Sequence, residues 1–84
     1  MAELTSLRNI GKELERKLHS IEICTAEALK EIGSQEAFVR LKLQGHSVCL
    51  VHLYALEGAV SGQEYNLLPE DTKQRLKAFS VSLK

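Results

Sequence analysis

Between Val48 and Val60 the chain runs through Val48, Leu50, Val51, Leu53, Tyr54, Ala55, Leu56, Ala59 and Val60, apolar on nearly every side of a helix. Such a helix has no solvated face to offer, so in a chain of 84 residues it belongs at the centre with the other segments packed around it. His52 interrupts the run, which is far shorter than the ~20 residues a bilayer span needs; it reads as a core helix, not a membrane anchor. Gly58 lies inside it, where glycine costs roughly 1 kcal/mol against alanine, and the use that explains it is close approach by another helix backbone. Gly62 ends the helix.

The remaining segments repeat an apolar spacing of three and four and never of two. Leu4 and Leu7 form one apolar turn that stops at Asn9-Ile10-Gly11. Leu14, Leu18 and Ile21 mark the inner face of the next helix, and Lys12, Glu13, Glu15, Arg16 and Lys17 its solvated face, with Glu13 and Lys17 at the favourable i, i+4 spacing. Thr25 fits the N-cap of a short helix through Leu29 to Ile32, with Glu27 in its first turn and Gly33 suited to a left-handed position after it. Ser34 restarts a helix that buries Ala37, Phe38 and Leu41, turns Gln35, Glu36 and Arg40 outward, and closes at Gly45. After an irregular turn through Asn66, Pro69 takes the first position of a last helix, with Glu70 and Asp71 in its positive end and Thr72, Leu76, Phe79 and Leu83 on its inner side. With 44% apolar and 26% charged residues and no low-complexity stretch, residues 1–84 are expected to fold as one domain.

An internal echo separates this chain from an arbitrary helical bundle. Leu7-Arg8-Asn9-Ile10-Gly11 and Leu29-Lys30-Glu31-Ile32-Gly33 both read Leu-x-x-Ile-Gly, and a helix follows each. Leu and Ile pack two helices across a tight turn whose positive φ glycine permits, the pattern of a helix-hairpin-helix. That unit serves many proteins by presenting helix N-terminal N–H groups to a nucleic-acid phosphate. In the first copy Arg8, Lys12 and Arg16 surround Ile10-Gly11, so Arg8, Ile10, Gly11, Lys12 and Arg16 form a candidate DNA-phosphate site. The second copy is flanked by Glu31 and Glu36, which repel phosphate, and reads as structural.

Charge and chemistry narrow the remaining classes. Eleven basic residues balance eleven acidic ones, so the chain as a whole has no electrostatic pull toward nucleic acid or an anionic membrane. The start lacks the features of a signal peptide, and the two cysteines, Cys24 and Cys49, sit in or beside apolar segments, which reads as a cytoplasmic protein with reduced, core-facing thiols. Cys49 and His52 stand at i, i+3 on the central helix, but two ligands do not make a metal site, and neither His19 nor His46 adds a third; no metal and no cofactor are expected. Nothing resembles a nucleophile, base and oxyanion hole, so no enzyme and no small-molecule substrate are expected. Glu57, the one acid in the apolar helix, needs a partner, for which an N–H cluster, a basic side chain or Tyr65 is expected. Tyr54 is expected to be a core aromatic with its hydroxyl at the edge.

Taken together, Leu-Arg-Asn-Ile-Gly, Leu53-Tyr54-Ala55-Leu56-Glu57-Gly58-Ala59, Gly62 and Leu68-Pro69 resemble the C-terminal domain of the TfoX/Sxy family, bacterial regulators of natural competence and their relatives. The resemblance runs from about Leu4 to Phe79, and Leu-Tyr-Ala-Leu-Glu-Gly-Ala is its most specific segment. It implies an all-α, five- to six-helix domain related to helix-hairpin-helix and SAM-like folds, without catalytic residues and standing alone in this chain. The implied structural motif comprises Leu7, Ile10, Gly11, Leu29, Ile32, Gly33, Leu53, Tyr54, Glu57, Gly58 and Pro69. Family hairpins often read Leu-Pro-x-Ile-Gly-Pro where this chain has Arg8 and Lys12, and Tyr65 stands where relatives often carry Trp. Two function classes follow. One is a protein-interaction or regulatory module, docking on another protein or on a second copy. The other is weak, sequence-independent contact with the DNA backbone through the first hairpin.

Overall fold

The apolar run forms a helix from Leu50 to Ser61, and the rest of the chain wraps it. The computed structural model describes residues 3–83. In chain order its α-helices are α1 (Lys12–Ser20), α2 (Ala26–Ile32), α3 (Ser34–Leu43), α4 (Leu50–Ser61) and α5 (Glu70–Ser82), with one-turn 3-10 segments at Leu4–Ser6 and Tyr65–Leu67. No strand occurs among the described residues; a single bridge ties Glu3 to Thr25. The all-α expectation therefore holds.

α4 packs against α3, α5 and the Tyr65–Leu67 turn, while α1 lies on α3 and the Leu4–Ser6 turn sits against α1 and α2. Leu53, Leu56 and Ala59 of α4 meet Ala37, Phe38 and Leu41 of α3, Leu76 of α5, and Leu14, Leu18 and Leu29 in one core. The spacing of three and four thus put the right faces inward. Thr25 accepts the Ala28 N–H at 3.1 Å and caps α2 as its sequence indicates. Gly33 joins α2 directly to α3 with φ +89 and ψ 161, an extended positive-φ conformation essentially confined to glycine and not the left-handed cap anticipated for it.

Several expectations are corrected. α4 begins at Leu50, with Val48 outside it and Cys49 as N-cap, and it is less buried all round than its composition suggests: Val51 is 54% exposed. Both cysteines are exposed, because Cys24 falls in the connection before Thr25 and Cys49 at a helix start, so neither is a core thiol. Pro69 is the N-cap of α5, one residue ahead of the helical position assigned to it. Only Leu76 of the α5 inner face is fully closed off; Thr72, Phe79 and Leu83 are half-buried at the edge of the core. Glu13 pairs with Arg16 one turn on, leaving Lys17 to reach toward the Ser47 carbonyl.

The two Leu-x-x-Ile-Gly copies adopt different backbones. In the second, Lys30 to Ile32 complete α2, and Gly33 takes the positive φ. The first follows a one-turn 3-10 segment, so it does not join two α-helices; the positive φ falls on Asn9 (71°) and Gly11 is extended at −91°. Asparagine tolerates that conformation where most residues do not, and here its side chain is held on both ends by the turn after α4.

Candidate functional site

The first hairpin is built on Asn9. Its Nδ2 donates to the Gln63 carbonyl at 3.0 Å and to Ala55 O at 3.4 Å, and its Oδ1 accepts the Tyr65 N–H at 3.2 Å. These bonds explain Gly58: a Cβ there would meet Asn9 Nδ2 and come within 2.5 Å of the Gln63 carbonyl oxygen. What approaches Gly58 is therefore a side chain and the chain's own return, not a second helix. Sequence inspection singled out the hairpin but not Asn9 as its fastener; an asparagine just ahead of Ile-Gly was the available signal, and its remote partners left none.

Around this fastener the proposed phosphate ligands separate. Arg8 donates from Nη1 to Glu64 Oε1 at 2.8 Å. Arg16 is held by Glu13. Ile10 is in the core at 5% exposure. Gly11 is the N-cap of α1, and Lys12, exposed, is the one cation of the group without an ion pair among the described residues. Glu13 and Glu15 occupy the first turn of α1, and the hollow beside Gly11 and Lys12 is also lined by Glu3 and Glu15. Carboxylates at a helix N-terminus already complement its dipole and oppose a second anion.

On the other side of Gly11 a shallow groove of about 310 Å³ runs between α1 and α4, with Leu14, Val51, Ala55 and Tyr65 as its apolar surface and Lys17 and His52 on its flank. Val51 and Tyr65 are 54% and 43% exposed, and Leu67, in the same 3-10 turn as Tyr65, is 71% exposed. His52 closes the start of α4: its Nδ1 accepts the Cys49 N–H at 3.0 Å and stands 3.4 Å from Cys49 Sγ. An accepting Nδ1 carries no proton, so the ring is neutral with its hydrogen on Nε2. Partial burial, and then the Lys17 ammonium, hold the His52 pKa below its ordinary 6.5. No group of three or more His, Cys, Asp or Glu side chains able to hold a metal occurs among the described residues.

At the second copy, Ser34, nearly enclosed at 4% exposure, donates to Glu57 Oε1 at 2.6 Å. The partner of Glu57 is thus a hydroxyl at the start of α3, in place of the N–H cluster, basic side chain or Tyr65 anticipated, because α3 packs directly on α4. Tyr54 keeps its hydroxyl at the edge, donating to the Lys73 carbonyl at 3.3 Å.

Comparison with known proteins bears on the whole chain. Residues 1–80 match the TfoX C-terminal domain. Among solved structures, an uncharacterized protein from Listeria monocytogenes, crystallised in a triclinic form, is 49% identical with a TM-score of 0.94, over 98% of this chain and 93% of that one. A protein of unknown function from the same organism, in a tetragonal form, is 48% identical with a TM-score of 0.93, over 96% of this chain and 99% of that one. No match is found among curated proteins. The match over residues 1–80 and the shared architecture place the chain in the TfoX C-terminal domain family.

Proposed function

We propose that this domain is a non-enzymatic binding module, similar in kind to the C-terminal domain of competence regulators, and that its partner is a protein. The observation that carries the reading is the pairing of charge beside an open apolar groove. Arg8 and Arg16 are engaged by carboxylates of their own chain, while Val51 and Tyr65 remain exposed on the groove that Asn9, Gly11 and Glu13 also line. Apolar side chains gathered along one groove, an aromatic among them, make the kind of surface that a protein partner covers. The rival reading, weak contact with the DNA backbone, rests on Arg8, Lys12 and Arg16 at the start of α1.

Two arms test it. Fluorescence anisotropy with a labelled duplex at low salt is expected to show no binding. A signal with a log–log salt slope of roughly −2 to −3, abolished when Lys12 and Arg16 are reversed to Glu, would establish the DNA reading instead. In the second arm, crosslinking in cells followed by mass spectrometry identifies a protein contact that is lost in Val51→Glu, a surface change expected to leave the melting curve unaltered. A contact retained in Val51→Glu would remove the groove from the proposal.

A further inference from the structure

We propose that the cleft where the start of α3 meets α4 and α5 binds a small zwitterion of the amino-acid kind, its ammonium group held by Glu57, its carboxylate by Arg75, and an apolar side chain by Ile32 and Phe79. The site shares no residue with the α1–α4 groove and stands independently of the protein-docking reading.

The cleft has a volume of about 510 Å³, room for an amino acid with a large side chain. Its carboxylate is tethered at one oxygen. Ser34, itself buried, fixes Glu57 Oε1 at 2.6 Å. No buried side-chain nitrogen or oxygen among the described residues lacks a partner, so Oε2, which Ser34 does not engage, is not sealed from solvent, and Glu57 is among the residues that line the cleft. Arg75 lines the same cleft from α5 and is in none of the ion pairs among the described residues, with Glu57 or with any other acid. Glu36, also on the rim, is taken by Arg40 at 3.1 Å. What remains for a ligand is one carboxylate and one guanidinium, separated and unpaired, with an aliphatic and an aromatic side chain between solvent and core.

A purely cationic ligand would satisfy Glu57 and be repelled by Arg75; a purely anionic one meets the reverse. Only a molecule carrying both charges complements both groups, and the planar donor fork of Arg75 suits a carboxylate in particular. The first turn of α3 borders the cleft but already carries Glu36 and meets Glu57 through Ser34, so the anionic end of the ligand is left to Arg75. Ile32 and Phe79, both half-buried, supply the apolar contact. Binding involves no covalent step.

The test is an NMR titration of the whole ¹⁵N-labelled chain with L-leucine, N-acetyl-L-leucine and L-leucinamide. L-leucine is expected to produce saturable shifts at Ser34, Gln35, Glu57 and Arg75. The acetylated analogue, without an ammonium, and the amide, without a carboxylate, should each bind about tenfold more weakly or worse, the effect of losing one charge-assisted hydrogen bond. Glu57→Gln, which keeps an oxygen for Ser34, and Arg75→Gln should each weaken L-leucine by a similar factor. Should Glu57→Gln fail to fold, Arg75→Gln and the two blocked analogues still decide the matter. Absence of saturable shifts with L-leucine, shifts confined to other surfaces, or equal binding of all three compounds would overturn the proposal.

Discussion

At the scale of single residues, Asn9 and Gly58 act as a pair. Asn9 sits at positive φ and spends both ends of its amide on backbone groups of the segment after α4 and on Ala55 O, and Gly58 leaves the space that this requires. Asn9→Ala removes these bonds and places a residue ill suited to that φ, so it is expected to destabilise by about 1–3 kcal/mol, read as a lower urea midpoint with an unchanged slope. Gly58→Ala brings a methyl against the Gln63 carbonyl and the Asn9 amide. The backbone oxygen cannot swing aside, so a loss of about 1–3 kcal/mol is expected in thermal melts, and a melting temperature equal to that of the parent would show that the turn yields. Gly58 was legible as a close-packing position from its place in an apolar helix. Its neighbours were not, because they approach from opposite directions along the chain.

At the scale of elements, the start of α4 differs from the other helix starts. α1, α2, α3 and α5 each carry an acid in the first turn, whereas α4 carries none and is closed by Cys49 and His52. That cap needs a neutral imidazole. The folded-state pKa of His52 lies below the unfolded value near 6.5, so the unfolded chain takes up the proton first. Stability from this residue is therefore complete above about pH 6.5 and declines as the pH falls through the lowered folded value. Chemical denaturation of the parent between neutral and mildly acidic pH is expected to show this decline. His52→Asn, which keeps an acceptor without titrating, should flatten it relative to the parent, and equal pH dependence in both would show that His52 does not carry the effect. The Cys49–His52 spacing was visible in the sequence as a poor metal pair; its capping role depended on α4 starting two residues later than its apolar run.

At the scale of the whole molecule, charge balance matters more than any single ion pair. All three side-chain ion pairs among the described residues, Arg8–Glu64, Arg16–Glu13 and Arg40–Glu36, are solvent-accessible, and the net charge is zero. Exposed pairs contribute little and there is no net self-repulsion for salt to relieve, so the melting temperature is expected to be nearly constant from low to moderate sodium chloride. A shift of several degrees would mean that a buried charge or a charged interface had been overlooked. The same balance weighs against bulk attraction to nucleic acid and leaves recognition to local surfaces, the α1–α4 groove and the cleft at Glu57.

Features that depend on neighbours a few residues apart were legible in the amino-acid order. The apolar spacing of three and four set the helices and their inner faces, Thr25 and Gly62 marked ends, and the run through Leu53 and Leu56 identified the central helix. Leu-Arg-Asn-Ile-Gly, Leu-Tyr-Ala-Leu-Glu-Gly-Ala, Gly62 and Leu68-Pro69 together carried the resemblance to the family. Which groups meet across long stretches of chain came from the packing of the fold: Asn9 with Gln63 and Tyr65, Arg8 with Glu64, Ser34 with Glu57. Two segments of the shared pattern Leu-x-x-Ile-Gly took different backbones for the same reason. A five-residue pattern specifies packing positions, but the positive φ goes where the surrounding fold can hold it, on Asn9 in one copy and on Gly33 in the other.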